Sequence, residues 1–281
     1  RCFGADRYAR VSHLDQPDHL FDPCSIARVP YGCFKGHGCG STAQPCEVCD
    51  SRGTLEEAMD ALKARIEPGR AEGMAKYHKG TREYLGIANP VLNDLTKEWR
   101  QTLEVDARVR LASELWETDV FEARLAAAKL LTQARIRPDA QAWELIKSWA
   151  PDFDSWAIAD HACMAGQKRL VADPARLDEV EAWTTSEHMW TRRAALVITL
   201  PWTKQNNPKP EELEARERIL GWAANYVSDQ TWFIQKSISW WLRELGKHDA
   251  ARVHAFLSAH GDNMKPFARR DAARKLPPLA D

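Results

Sequence analysis

Residues 232–245 read WFIQKSISWWLREL. Ile234, Ile238, Trp241, Leu242 and Leu245 recur at three- and four-residue steps, the spacing of one buried face of an α-helix. Neighbours on a helix point about 100° apart, so the adjacent Trp240 and Trp241 cannot share that face equally. Trp241 falls with the aliphatic residues. Trp240 falls on the opposite stripe, with Lys236, Arg243 and Lys247. An indole in a row of cations suits a polyanion that also carries sugars and rings, because the cations neutralise phosphates and the ring supplies stacking. The same pattern arises when a cation lies over an exposed ring within one protein.

The helical pattern continues outward from this stretch. PVLNDLTKEWRQTL, VDARVRLASELWE, VFEARLAAAKLLTQA and DAQAWELIKSWA carry apolar residues at helical steps. So do FDSWAIADHACMAG, PARLDEVEAWTT, HMWTRRAALVITL and PEELEARERILGWAANYV, and, further on, DAARVHAFLSAH and PFARRDAARK. Connections are short and carry Pro, Asp, Asn or Gly, and no strand-like alternation persists. Paired helices at a loose period of roughly 35–45 residues predict an all-α, HEAT-like α-solenoid of antiparallel helical pairs. A compact helical bundle is the structural alternative.

The 281 residues hold 39 basic and 40 acidic side chains, a formal net charge of -1. That balance neither signals nor excludes a nucleic-acid partner, since a local basic face fits a neutral protein. No apolar run approaches the ~18 residues of a membrane span, so no membrane partner is expected. No signal peptide is visible. Six of the seven cysteines lie within the first 49 residues and only Cys163 lies beyond. The large remainder has no disulfide framework and reads as cytoplasmic. The 12 tryptophans suggest a ring-lined surface or groove.

Character changes near residue 53. Residues 1–53 mix Gly, Pro, Cys and His without a sustained period and are expected to be a poorly ordered leader, upstream of a true start near Met59. Cys46 and Cys49 form a C-x-x-C pair, half of a zinc site, but Cys33 and Cys39 lack the spacing of a second half. Residues 54–281 form the helical domain. Its first segment opens on Thr54 and Glu57, the spacing of a capping box.

Three further constellations carry candidate chemistry. In DFDSWAIADHA, Trp156 and Asp160 share a helix face with Phe153 and Cys163 on the same side. A carboxylate among rings and sulfur is poorly solvated, which matters for chemistry on a cation; an aspartate that caps a helix or pairs with an arginine leaves the same pattern. In HMWTRRAALVITL, Arg192 falls on a polar strip and Arg193 on an apolar one, so Arg193 needs a carboxylate or a ligand phosphate as partner. MAKYHKGTREYLGI interleaves Lys76, His78, Lys79 and Arg82 with Tyr77 and Tyr84, as a basic, aromatic patch ending in a glycine turn or a solvated loop. MKPFARRDAARK closes the chain with another basic cluster.

Taken in order, MAKYHKGTREYLGI with the following NP, WAIAD, MWTRRAAL and WFIQKSISWWLRE resemble the AlkD-like DNA alkylation repair family of HEAT-repeat DNA glycosylases, across roughly residues 55–275. The F-I-Q-K-x-x-x-W-x-L-R segment is the most specific. The resemblance implies a curved stack of helical pairs whose concave groove holds duplex DNA containing alkylated bases. It implies hydrolysis of the N-glycosidic bond of cationic N3- and N7-alkylated purines, by a monomer without cofactor or metal and without drawing the base into a pocket. By position, Trp156 and Trp240 would flank the lesion's deoxyribose and Asp160 would be the catalytic carboxylate. Arg193 would contact the DNA backbone near the lesion, and Tyr77 matches a DNA-facing tyrosine. Lys236, Arg243 and Lys247 would track phosphates.

There is a departure. The family pattern often carries a tryptophan and a carboxylate just before the matched positions, whereas here Ala157 follows Trp156 and the nearby acid is Asp154. A register built on Asp154 and Ser155 would put Ala157 in the catalytic position. The register with Trp156 and Asp160 keeps both residue types. Two other functions compete: a non-catalytic relative that binds damaged or branched DNA through the same groove, and a helical-repeat scaffold for a protein partner.

Overall fold

Thirteen α-helices follow one another along the described residues, which contain one isolated β-bridge, Glu83 to Val120, and no strand. The computed structural model describes residues 47–277, all within the unit Pro45–Asp281. The expected leader and its Cys33–Cys49 cluster lie outside the residues whose side chains are described. Helix α1 spans Glu47–Lys63, α2 Arg70–His78, α3 Asn89–Thr102, α4 Val105–Glu117 and α5 Phe121–Leu130. Then come α6 Ala140–Ser148, α7 Trp156–Ala172, α8 Leu177–Glu181 and α9 Met189–Val197. The last are α10 Pro210–Tyr226, α11 Trp232–Leu245, α12 Ala250–His260 and α13 Pro266–Ala273. Since α1 already runs from Glu47, Thr54 sits inside it and does not open it as a capping residue.

Helices α5, α7, α9, α11 and α13 form a row in which each packs on the next. Behind that row, α4 packs on α5, α6 on α7, the 3-10 turn Ala182–Thr185 after α8 on α9, α10 on α11 and α12 on α13. Each layer touches its neighbours in sequence, which is the packing of an α-solenoid and not of a closed bundle. Within this row α5 and α7 are covered on several sides, so they are less amphipathic than free surface helices. All ten residues of α5 are buried, and its run of alanines, Ala126 to Ala128, lets its neighbours approach closely.

Cross-layer bonds repeat with the same spacing as the helices. Buried indoles donate to polar groups one layer on: Trp116 to Asp152 (3.3 Å), Trp143 to Glu179 (3.1 Å) and Trp222 back to Glu181 (2.7 Å). Arg176 grips Asp139 through two bonds of 2.9 Å, and Arg252 grips Glu217 through two of 2.7 Å. These pairs lie 35 to 41 residues apart, so each ties one repeat to the next. Seven of the 12 tryptophans, namely Trp116, Trp143, Trp149, Trp183, Trp202, Trp222 and Trp241, are buried in the core. The richness in tryptophan is therefore mainly a property of the core, and only a minority of the rings reach a groove.

The segment between α2 and α3 is held by one side chain. Glu122, at the start of α5 and fully buried, accepts the backbone N–H groups of Leu85, Gly86 and Ile87 at 2.9, 2.7 and 3.1 Å. Gly86 has φ of 83°, and a Cβ there would lie 2.8 Å from the Ala71 nitrogen, so the turn requires glycine. This clamp fixes α2, and with it Tyr77, over the start of α7.

Candidate functional site

A cavity of about 320 Å³ opens between the start of α7 and the outer face of α11. Helix α7 supplies Trp156 at its first position and Asp160 one turn later. Helix α9 supplies Arg193, α11 supplies Phe233, Lys236, Trp240 and Arg243, and α2 supplies Tyr77, which is 69% exposed. The Trp156 and Tyr77 rings meet edge to face with centroids 5.9 Å apart. Trp240 lines this cavity while Trp241 lies fully in the core, its Nε1 donating to Thr199 Oγ1 at 3.2 Å. The two adjacent indoles thus part as the helical wheel requires.

Asp160 is the acid of the cavity. Both its oxygens lie 2.9 Å from Nη2 of Arg193, and its side chain keeps 15% exposure. Burial pushes its pKa up, and the Arg193 charge and hydrogen bonds oppose that rise without cancelling it. Arg193 is 3% exposed, donates from Nη1 to the Phe233 carbonyl at 3.1 Å and lies 5.9 Å from the Phe233 ring centroid. The structure gives Arg193 a carboxylate and a carbonyl as partners where the resemblance implies a contact to the DNA backbone. Beneath them, burial and the nearby Asp160 charge push the Cys163 thiol far up, so it stays neutral.

The other expected residues divide. Lys236 is half exposed at the cavity wall; Arg243 is mostly covered because it pairs with Asp271 of α13. Asp271 also accepts from Ser239 Oγ at 3.0 Å and lies 4.0 Å from Lys236 Nζ. Lys247 is not brought to the cavity: α11 ends at Leu245, and Lys247 turns to Glu244 at 2.6 Å. Asp154 is also outside the cavity lining and pairs with Arg82, which reaches Asp119 as well. Arg82 is thereby removed from the expected basic patch.

Three residues at the site were missed in the sequence. Phe233 and Trp232 line the cavity, and Trp232, 52% exposed, stacks on Phe267 at 3.9 Å. The signal for Trp232 was present, since it precedes Lys236 by four residues on the same stripe. Asp271 lies in the next repeat, where no local spacing points to Arg243.

A second cavity of about 340 Å³ shares the Tyr77 and Trp156 walls and continues toward Asn89, Leu125 and His161. The His78 ring packs 5.2 Å from Trp156 and 4.6 Å from Phe121. Burial lowers the pKa of His78 and, with the Lys129 charge adding to it, takes His161 down to about 4, so the His161 imidazole is neutral near pH 7. Among the described residues no group of three or more His, Cys, Asp or Glu is placed to hold a metal ion, and no helix is long and apolar enough to cross a membrane.

The model of the DNA alkylation repair enzyme family matches residues 58–276. A predicted DNA alkylation repair enzyme from Enterococcus faecalis has a similar fold, with a TM-score of 0.65 at 20% identity over 76% of this chain and 98% of that one. AlkD2 from Streptococcus mutans superposes with a TM-score of 0.54 at 16% identity over 80% and 99% of the two chains. No curated protein matches the chain.

Proposed function

The chain belongs to the DNA alkylation repair enzyme family, and from that premise we propose that it is a DNA glycosylase acting on cationic N3- and N7-alkylated purines in duplex DNA. The observation that carries the proposal is Asp160. It is a part-buried carboxylate in a cavity whose lining includes the indoles of Trp156 and Trp240 and the cations Lys236 and Arg243.

The chemistry asks little of the protein beyond charge placement. The C1′–N bond breaks heterolytically and its electron pair goes to the purine, which leaves neutral because the lesion was already cationic. Positive charge develops on C1′ and the ring oxygen of the sugar. The ionised Asp160 stabilises that charge at short range, where water is largely excluded, and orients the water that adds to C1′. That water's proton passes to Asp160 or to solvent. Indole faces are electron-rich, so Trp156 and Trp240 stabilise the same charge on the sugar's flanks. Arg193 keeps Asp160 ionised and fixes its orientation. Lys236 and Arg243 suit flanking phosphates.

The test is release of 7-methylguanine and 3-methyladenine from methylated duplex DNA, with the unaltered chain beside Asp160→Asn. Release that falls by about 100-fold or more in the variant is expected. Release unaffected by the change would move the catalytic role away from Asp160. Because burial raises its pKa, the rate is expected to fall on acidification at a pH above the ordinary carboxylate range of about 4. A rate flat to pH 4 would contradict a carboxylate base there. A second reading has its own support: both oxygens of Asp160 are already bonded by Arg193, as in a purely structural ion pair. That favours a non-catalytic protein binding damaged or branched DNA, which predicts salt-sensitive DNA retention with no base release.

A further inference from the structure

Seven cationic side chains are buried in the described part of the stack, and five have an acid within 4.0 Å. Arg124 has Asp119, Arg169 and Arg176 share Asp139, Arg193 has Asp160 and Arg216 has Asp249. The remaining two, Arg108 and Lys129, have none among the described residues. Lys129, 8% exposed on α5, donates to Asn93 Oδ1 at 2.7 Å. Arg108, from α4, donates to the Gln133 side chain, and its Nε is buried with no hydrogen-bond partner. Beside them lies Arg100 of α3, half-buried and also without an acid among the described residues, whose Nη1 donates to the Lys129 carbonyl at 2.7 Å. Two or three positive groups held together without a counter-charge are costly unless an anion arrives from outside.

Their place in the fold gives that anion a route. Asn93 follows Asn89 by one turn on α3, and Lys129 follows Leu125 by one turn on α5; Asn89 and Leu125 line the second cavity. That cavity shares Trp156 and Tyr77 with the first, and Asn93 and Lys129 lie one helical turn beyond its lining. The charged neighbour that acts on Lys129 is Arg100 of α3; the neutral His161 of α7 faces it, and Arg108 of α4 acts in turn on Arg100. Burial, reinforced by Arg100, takes the Lys129 ammonium down to about 8, and burial with Arg108 lowers Arg100.

The geometry points to a phosphate seat formed by Lys129 and Arg100, with the Asn93 amide orienting the group, that takes the oxyanion of a nucleic-acid backbone or of free phosphate. Arg100 keeps N–H donors beyond the one spent on the Lys129 carbonyl, and the Lys129 ammonium keeps two, a set that matches several phosphate oxygens at once. The seat stands apart from base release and does not depend on it.

Two arms test it, each with the full chain, Lys129→Met and Arg100→Gln. The first is thermal unfolding with sodium chloride exchanged for inorganic phosphate at fixed ionic strength. Phosphate stabilises most proteins slightly by exclusion from their surface, so the quantity read is the excess in the unaltered chain. An excess rise in Tm of a few degrees, absent from both variants, is expected. The second is the salt dependence of duplex DNA retention, whose logarithmic slope is expected to shrink by about 0.9 in each variant. A change in the second arm alone assigns the seat to a backbone phosphodiester; a change in the first alone assigns it to free phosphate. Variants that match the unaltered chain in both arms would overturn the site. The unfolding arm involves no DNA, so its outcome is separable from the fate of the glycosylase proposal.

Discussion

From Arg169 onward each buried guanidinium in the described stack meets an acid, whereas Arg100, Arg108 and Lys129 form a knot of cations that meets none among the described residues. The two regions are built from the same kind of helix pair and differ in where the counter-charge comes from. Around Asp160 the protein supplies it, and the result is a fixed carboxylate at a cavity. Around Lys129 no acid among the described residues supplies it, and the result is a cluster of cations without a counter-charge. A buried pair is a weak argument for stability, because desolvation offsets much of the attraction. Breaking such a pair is a different matter, and it gives the sharpest way to compare the two regions.

The largest effect is expected from Asp160→Ala. It leaves the 3% exposed Arg193 with only the Phe233 carbonyl, so the paired region takes on the character of the unpaired one. Stability is expected to fall by roughly 3–5 kcal/mol, read by chemical denaturation. Adding Arg193→Met is expected to recover part of that loss, since an apolar stem removes the orphaned charge. A double variant as unstable as the sum of the single ones would mean that the two residues do not act as a pair.

Next comes Lys129→Met, with the opposite sign. The folded value of about 8 lies below the unfolded value of about 10.4, so the folded state disfavours the charged ammonium. The penalty is complete below pH 8 and is relieved as pH rises toward 10. In phosphate-free buffer the methionine variant is expected to be more stable near pH 7, by on the order of 2 kcal/mol, with the gap narrowing above pH 8. A gap that stays constant with pH would remove the argument that Lys129 is an uncompensated charge.

What the sequence disclosed follows the same division between local and distant. The solenoid was legible because each helix repeats its apolar positions within a few residues, and because Pro, Asp, Asn and Gly mark the turns. The opposite fates of Trp240 and Trp241 were legible for the same reason, as they depend only on helical geometry. Lys247 misled because the wheel was carried past Leu245, where α11 stops and the chain turns the lysine to Glu244. Partners a repeat away left no mark: Arg193 and Asp160 are 33 residues apart, and Arg243 and Asp271 are 28 apart. The tryptophan count misled for a physical reason too, since a large indole with one N–H serves a stacked core as well as a groove, and Trp116, Trp143 and Trp222 bond across layers from the interior.

The smallest effect, and the finest test of the comparison, is expected from Asp271→Asn. Asp271 stands between the two regimes: it is the protein's own counter-charge for Arg243 and Lys236, yet it lies at the rim where a phosphate would pass. Burial works against its ionisation, but the Ser239 hydroxyl and the charges of Arg243 and Lys236 hold its pKa below the usual value. Its contribution to stability is therefore present above about pH 4 and is lost as acid protonates it in the folded state. Arg243 keeps 16% side-chain exposure and Lys236 far more, so water compensates them when the charge is removed. The cost is expected to be about 1 kcal/mol. Duplex DNA retention is expected to strengthen and its salt dependence to steepen, because two cations then face phosphates without an internal competitor. If retention weakens instead, Asp271 acts by holding Arg243 in place, and the rim belongs with the rigid, self-paired region around Asp160.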